Sequence, residues 1–260
     1  MSIGYDHLLA RLHLKAVFPT LAALVRLDHG AQSLIAGQRF GVQLRTRSGL
    51  SARIDFLDGE ALVDSETSGH RAIELLFLTD RQLNRTFSGT GFSLPIPVRG
   101  FGHLARLQTF SKLTARLQQI LTASPRQLAD QKLREIQADL LMGELIPSAI
   151  AQLASCDGPC KRWLAPYSDK LVQIEVDGGA SSWIRFQNNS AVVASKAPGE
   201  LPDVVISFRD RDVALAAIRG DLDNLGALGK GQMTVRGLIP LADELGRVLD
   251  RLGFLLAKSR

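Results

Sequence analysis

Apolar and polar residues alternate with a period of two around Phe40, Val42 and Leu44, which are separated by Gly41, Gln43 and Arg45. Such alternation predicts a half-buried strand. The pattern returns from Leu171 onward, with Val172, Ile174 and Val176 on one side and Gln173, Glu175 and Asp177 on the other. Ser48-Gly49 and Gly178-Gly179 supply turns, and residues 52–56 and 183–186 predict the returning strands, so both regions read as hairpins. Short apolar runs at 61–63 and 191–194, then at 74–78 and 204–208, give each region about four strands in meander order. A helix is predicted to begin near Asp80 or Asp210, whose short side chain can cap free N–H groups. It ends at Gly89 or Gly220, residues suited to a left-handed C-cap. A last strand then leads into a terminal amphipathic helix, residues 104–121 or 241–257. Pro95 and Pro97 lack an N–H donor, which makes the first of these last strands either an edge strand or an irregular segment.

These two regions are copies of one another. Shifting the chain by 130 residues, without a gap from Val42 to Leu83, pairs Val42 with Val172, Gln43 with Gln173, Gly49 with Gly179 and Ser51 with Ser181. It also pairs Ile54 with Ile184, Phe56 with Phe186, Ala61 with Ala191, Val63 with Val193, Ser65 with Ser195, Gly69 with Gly199, Asp80 with Asp210 and Arg81 with Arg211. That is twelve identities in forty-two positions, where ordinary residue frequencies give about three. Beyond Leu83 the register slips, and Val98-Arg99-Gly100 lines up with Val235-Arg236-Gly237. Each copy opens with a helix: residues 6–27 in the first, and in the second residues 125–153, stopped by Asp157-Gly158-Pro159. Residues 123–165 are therefore either a connector or the leading helix of the second copy, and the parallel with 6–27 favours the latter. Two units are expected, 1–122 and 123–260.

The second copy resembles the sterol carrier protein type two family. The resemblance rests on Asp203-Val204-Val205-Ile206-Ser207-Phe208, the stretch from Asp210 to its Ile218-Arg219-Gly220-Asp221-Leu222 ending, and the run Leu228-Gly229-Lys230-Gly231-Gln232-Met233-Thr234-Val235-Arg236-Gly237 before the helix from Leu241. It covers residues 171–252 and, through the repeat, 42–117. The first copy lacks the Gly-Lys and carries prolines in its last strand. The resemblance implies an α+β fold of two sterol-carrier-like units, each an antiparallel meander sheet of about five strands covered by helices. It also implies non-catalytic binding or transfer of a sterol, fatty acyl chain or similar apolar small molecule. The candidate cavity lining is Ile206, Phe208, Ala217, Met233, Val235, Leu245 and Leu249 in the second copy, and Leu76, Leu78 and Phe87 in the first. Apolar residues of this kind also build ordinary cores. The alternative function is an accessory or scaffold protein with no exchangeable ligand.

Charge separates the copies. The net charge of +5 belongs to the first 120 residues, with 14 Lys and Arg against 9 Asp and Glu, while the remainder holds 17 of each. From Arg81 to Ala129 there is no acidic residue against seven basic ones: Arg81, Arg85, Arg99, Arg106, Lys112, Arg116 and Arg126. On a helical wheel Leu104, Leu107, Phe110, Leu117 and Leu121 gather opposite Arg106, Lys112 and Arg116. Arg99, Arg106, Lys112 and Arg116 are thus candidates for docking on an anionic membrane surface, where each cation contributes about 1 kcal/mol. The solvated face of a core helix reads the same way. Nucleic acid is not expected: Phe87, Phe92, Phe101 and Phe110 are the sole stacking platforms of the basic stretch, and no recognition motif accompanies them.

Motifs for catalysis are absent. There is no Gly-x-Ser-x-Gly elbow, phosphate-binding loop, dinucleotide fingerprint or HExxH, and Gly229-Lys230-Gly231 precedes a strand, which makes it a turn. Cys156 and Cys160 match neither a redox nor a zinc spacing, and His7, His13, His29, His70 and His103 are scattered. No metal and no cofactor are expected. The apolar run 16–25 lacks a cleavage site and does not read as a signal peptide, and no run approaches the roughly 20 residues of a membrane helix. The expected location is cytoplasmic, with peripheral membrane contact.

Overall fold

A computed structural model describes residues 4–64, 72–89, 95–99, 104–188, 190–194 and 198–257. Ser65, Gly69, His70, Phe92, Gly100, Phe101, His103 and Ser195, which entered the sequence reading, lie outside the described residues. The chain divides into two compact units, Gly4–Ala123 and Ser124–Ala257.

In the first unit α1 (Tyr5–Leu12) passes through a π turn at His13–Val17 into α2 (Thr20–Leu27) and then α3 (His29–Ile35). Strands β1 (Arg39–Thr46), β2 (Ser51–Leu57), β3 (Glu60–Val63) and β4 (Ala72–Phe77) follow, then α4 (Asp80–Ser88), β5 (Ile96–Arg99) and α5 (Leu104–Leu121). The second unit runs α6 (Gln131–Leu140), a π turn at Leu141–Leu145, α7 (Ile146–Cys156) and α8 (Gly158–Leu164). It continues through β6 (Leu171–Val176), β7 (Ser181–Gln187), β8 (Ser190–Ala194) and β9 (Val204–Phe208). Last come α9 (Arg211–Arg219), α10 (Asn224–Gly229), β10 (Met233–Gly237) and α11 (Ile239–Ala257).

Both sheets are mixed, which corrects the expected antiparallel meander. The orders are β3-β2-β1-β4-β5 and β10-β9-β6-β7-β8. The first three strands of each unit do meander, but the fourth crosses over to the free edge of the first and lies parallel to it. That crossing buries the first strand between two neighbours and brings β4 and β9 into the middle of the apolar face. One face of the first sheet is sealed by Phe40, Val42, Ile54, Phe56, Ile73, Leu75 and Phe77, and the corresponding face of the second by Val172, Ile174, Ile184, Phe186 and Val204. Burying each such side chain is worth about 1.5–3 kcal/mol.

The gapless register of 130 is also corrected. Val42 lies opposite Ile73, and Val172 opposite Val204, so from the fourth strand onward the equivalence is 131. Phe77 matches Phe208, and the left-handed Gly89 (φ 67°) matches Gly220 (φ 77°). One residue has been gained in the crossing between the third and fourth strands. The helix cap shifts with it. Thr79, not Asp80, holds the capping position of Asp210: the Thr79 hydroxyl accepts from Gln82 N–H and the Asp210 carboxylate from Val213 N–H.

The leading helices match as well. Each contains a π turn followed two residues later by a proline, Pro19 or Pro147. In the first, Phe18 N–H reaches His13 C=O at 2.8 Å, five residues back. This wider turn accommodates a residue that has no N–H and crowds the carbonyl four back. Because the proline is absorbed, Tyr5–Leu27 forms one helical run of 23 residues, long and apolar enough to cross a membrane. That overturns the expectation that no such run exists, although most of it is buried in the core of its unit. The Asp157-Gly158-Pro159 stop also starts a helix, since Asp157 caps α8 through Cys160 N–H and Pro159 sits in the first turn. Pro97 lies on the edge strand β5, as expected.

Candidate functional site

In the second unit, pleating puts Val204, Ile206 and Phe208 on one side of β9, and the register sets Val235 opposite Ile206 and Met233 opposite Phe208. Four of the candidate lining residues therefore share one patch of the inner face at the β9–β10 edge. Helix α11 packs on both strands, with Leu245 buried and Leu249 40% exposed. The patch is not sealed. Val204 and Phe208 are buried, yet Ile206, Met233 and Val235 remain half-buried, in contrast to the closed Val172, Ile184 and Phe186 of the interior strands β6 and β7. Ala217 is half-buried on α9.

The loop into α11 is held by a tight crossing. Gly237 has φ 94° and pairs with Val204, and Leu238 N–H donates to Asp203 C=O at 2.9 Å. The Asp203 carboxylate receives Leu171 N–H and Lys170 Nζ, both at 2.9 Å. The Leu171 N–H, opposed by partial burial and helped by Lys170, holds that carboxyl below its ordinary 3.8.

In the first unit the structure does not bring the candidates together. The one-residue slip turns Leu76 and Leu78 to the opposite face of the sheet, where Leu76 is half-buried and Leu78 exposed; Leu75 and Phe77 take the inward positions. Phe87 stacks on the buried His13 ring, with centroids 4.9 Å apart. The His13 Nδ1 lies 3.1 Å from Asn84 Oδ1, and Asn84 Nδ2 donates to Asp6 C=O at 2.9 Å. Burial, opposed by the Asn84 bond, pushes the His13 pKa down to about 4, so the ring is neutral and its Nδ1–H donates.

The basic residues separate into two groups. Lys112 is exposed and Arg106 half-buried, while Arg99, 80% exposed, comes only within 3.8 Å of Glu74. Arg116 is committed elsewhere: its Nε donates to Asp28 Oδ2 at 2.6 Å, and Asp28 caps α3 through Gly30 N–H. Both cysteines are free thiols. Burial first, and then the hydrogen bond and charge of Asp157, drive the Cys160 thiol up, which keeps it protonated and a poor nucleophile or ligand. Among the described residues no group of three or more His, Cys, Asp or Glu could hold a metal.

A cleft of about 290 Å³ lies at the other end of the second sheet, where α7 and α8 meet the β7–β8 turn. Reading the sequence for apolar strand residues missed it. The signal that marks it is a difference between the copies, at Gln32 and Lys161, Asp58 and Asn188, and Glu60 and Ser190.

The fold thus defines a tandem of two α+β units, each a mixed five-stranded sheet with an apolar face under helices, with polar divergence confined to particular positions. No protein-family model matches the sequence, and no curated protein matches it. Solved structures are similar to parts of it. One is described as "UbiJ-SCP2 Ubiquinone synthesis protein", with 22% identity over 41% of this chain and 94% of that chain, at a TM-score of 0.32. A second is the sterol carrier protein domain 2 of Helicoverpa armigera, with 17% identity over 40% of this chain and 83% of that chain, at a TM-score of 0.33. A third is sterol carrier protein 2 from Yarrowia lipolytica in its apo form, with 14% identity over 41% of this chain and 88% of that chain, at a TM-score of 0.32. The sterol-carrier family named from residues 171–252 is the one to which these structures belong by their descriptions.

Proposed function

We propose that the protein is a non-catalytic carrier of a sterol, fatty acyl chain or similar apolar ligand, and that the second unit holds the ligand at the β9–β10 edge beneath α11. The observation that carries this reading is the half-buried trio Ile206, Met233 and Val235, which lies beside α11 on the apolar face of the sheet. Apolar surface left open beside a helix is a site at which a chain or ring can replace water. The sterol-carrier pattern of residues 203–237 supports the same place. The protein works in the cytoplasm and exchanges ligand at anionic membranes, with Arg99, Arg106 and Lys112 of the first unit as the headgroup contacts.

Native mass spectrometry of the full chain purified without added lipid tests the carrier reading. A co-purifying lipid is expected, lost in the Val235→Asp variant, which sets a charge into the patch. A clean apo mass, together with failure to take up a fluorescent fatty acid, assigns the chain to the accessory class. Co-sedimentation with vesicles tests membrane contact: binding is expected to require anionic lipid, and equal binding to neutral vesicles removes it.

A further inference from the structure

The cleft at the β7–β8 end differs from the β9–β10 patch in position and in chemistry. The two occupy opposite edges of one sheet. Its apolar wall is Ala154, Leu164 and Phe186, all buried, and its rim carries Lys161, Ser168 and Asn188. Ser168 Oγ donates to Asn188 Oδ1 at 2.8 Å, which fixes the amide across the mouth. Among the described residues the Lys161 ammonium has no ion-pair partner. The cation closest in sequence, Arg162, lies outside the lining.

The first unit serves as an internal control. Lys161 N–H bonds Asp157 C=O as Gln32 N–H bonds Asp28 C=O, so Lys161 stands where Gln32 stands. Gln187 pairs with Ser190 as Leu57 pairs with Glu60, so Ser190 replaces Glu60 and Asn188 replaces Asp58. In the first unit the equivalent place is occupied by the protein itself: the Asp58 carboxylate accepts Gly37 N–H at 2.8 Å, and the Gln32 side chain lies over Gly59. In the second unit all three positions have moved toward positive charge, two carboxylates lost and one ammonium gained, around an open cleft.

We propose that this cleft binds a small amphiphilic carboxylate, its short apolar body against Leu164 and Phe186 and its head on Lys161. A volume of about 290 Å³ falls just under the usual range of ligand pockets, roughly 300–1,000 Å³, and suits a chain of medium length in place of a sterol. A carboxylate held by an ammonium makes a charge-assisted hydrogen bond, about twice as strong as a neutral one. The site is independent of the carrier patch.

Octanoate and 1-octanol serve as probes on the full-length isotope-labelled protein, followed by amide chemical shifts. Octanoate is expected to perturb Lys161, Leu164 and Ser190 independently of any response at the carrier patch of Ile206 and Val235, and octanol to bind the cleft about tenfold or more weakly. Lys161→Gln, which installs the first unit's residue, is expected to weaken octanoate by a similar factor, and Asn188→Asp with Ser190→Glu to abolish binding while Lys161 remains. Ile206→Asp leaves octanoate binding intact, which separates this site from the carrier patch. Equal binding of octanol, unchanged affinity in Lys161→Gln, or shifts confined to Ile206 and Val235 would overturn the assignment.

Discussion

Arg251 on α11 and Asp157 at the start of α8 form a two-point ion pair, with Nη2 3.1 Å from Oδ1 and Nε 3.2 Å from Oδ2. Arg116 on α5 and Asp28 at the start of α3 form its counterpart in the other unit. In each unit one aspartate caps the short helix after the leading helix and, with the same carboxylate, ties down the terminal helix. The duplicated segment therefore includes this latch, although neither arginine nor aspartate lies within the region where the copies align by identity.

Asp157 is only 5% exposed at its side chain, so removing its partner leaves a buried charge. Arg251→Ala is expected to cost about 3 kcal/mol, the scale for breaking one half of a buried pair, read as a lower urea midpoint. Arg251→Lys recovers part of the loss, because a single ammonium cannot make both bonds. A loss under about 0.5 kcal/mol for Arg251→Ala, the range of ordinary surface substitutions, would show the pair to be ornamental.

His13 predicts a pH dependence of stability. Its folded-state pKa is about 4 against an ordinary 6.5, so between those values the unfolded chain binds a proton that the folded chain refuses. Stability contributed by the neutral ring is complete above about pH 6.5, falls as pH drops through the window, and levels off below about 4. The fall amounts to roughly 3 kcal/mol. In the second unit Leu141 and Leu215 occupy the places of His13 and Asn84, and both are apolar. Exchanging the first unit's pair for leucines together is expected to flatten the denaturation midpoint between pH 6.5 and 4. A slope that survives the double exchange assigns it to other groups.

The hairpins, the glycine caps and the terminal helices were legible in the sequence because local physics sets them. Alternation at Phe40, Val42 and Leu44, the turn at Ser48-Gly49 and the left-handed Gly220 need no knowledge of distant residues. The crossover of β4 and β9 was not legible, since it depends on which edge of the first strand is free. Nor was the one-residue slip: the identities Asp80 with Asp210 and Arg81 with Arg211 suggest a continuous register, yet those residues do different work. Asp210 caps α9, whereas Asp80 receives Ser48 Oγ at 2.6 Å and lies 2.8 Å from His7 Nδ1. The residue that matches Asp80 is Arg211, which pairs with Asp139, so this position carries opposite charge in the two units. The β9–β10 patch was legible because its strand pattern is intact, and the first unit's candidates failed with the register that placed them.

Gly237 is expected to be intolerant of any side chain. A Cβ there runs into the Asp203 carbonyl oxygen, backbone that cannot step aside, and φ is 94°. Gly237→Ala should cost about 2 kcal/mol or more and reduce hydrogen-exchange protection across β9 and β10. Gly253→Ala on α11, where a Cβ meets nothing within 4 Å, is the matched control and is expected to be neutral or stabilising by up to about 1 kcal/mol. Equal effects of the two substitutions would refute the crossing as described.

The slip itself is testable by exchanging residues between units. Under a register of 131, Leu78 corresponds to Arg209 and Phe77 to Phe208; under a register of 130, Leu78 corresponds to Phe208. Leu78 is 48% exposed and Phe77 is buried. Leu78→Arg therefore installs the residue that the other unit carries on the same outward position, and it should change stability by less than about 0.5 kcal/mol. Phe77→Ala, which empties a core site, should cost about 3–5 kcal/mol. The gapless register makes the reverse demand, because Leu78 would then point into the core and an arginine there would bury an unpaired charge. Chemical denaturation of the two single variants decides between them, and a loss for Leu78→Arg as large as that for Phe77→Ala would restore the continuous alignment.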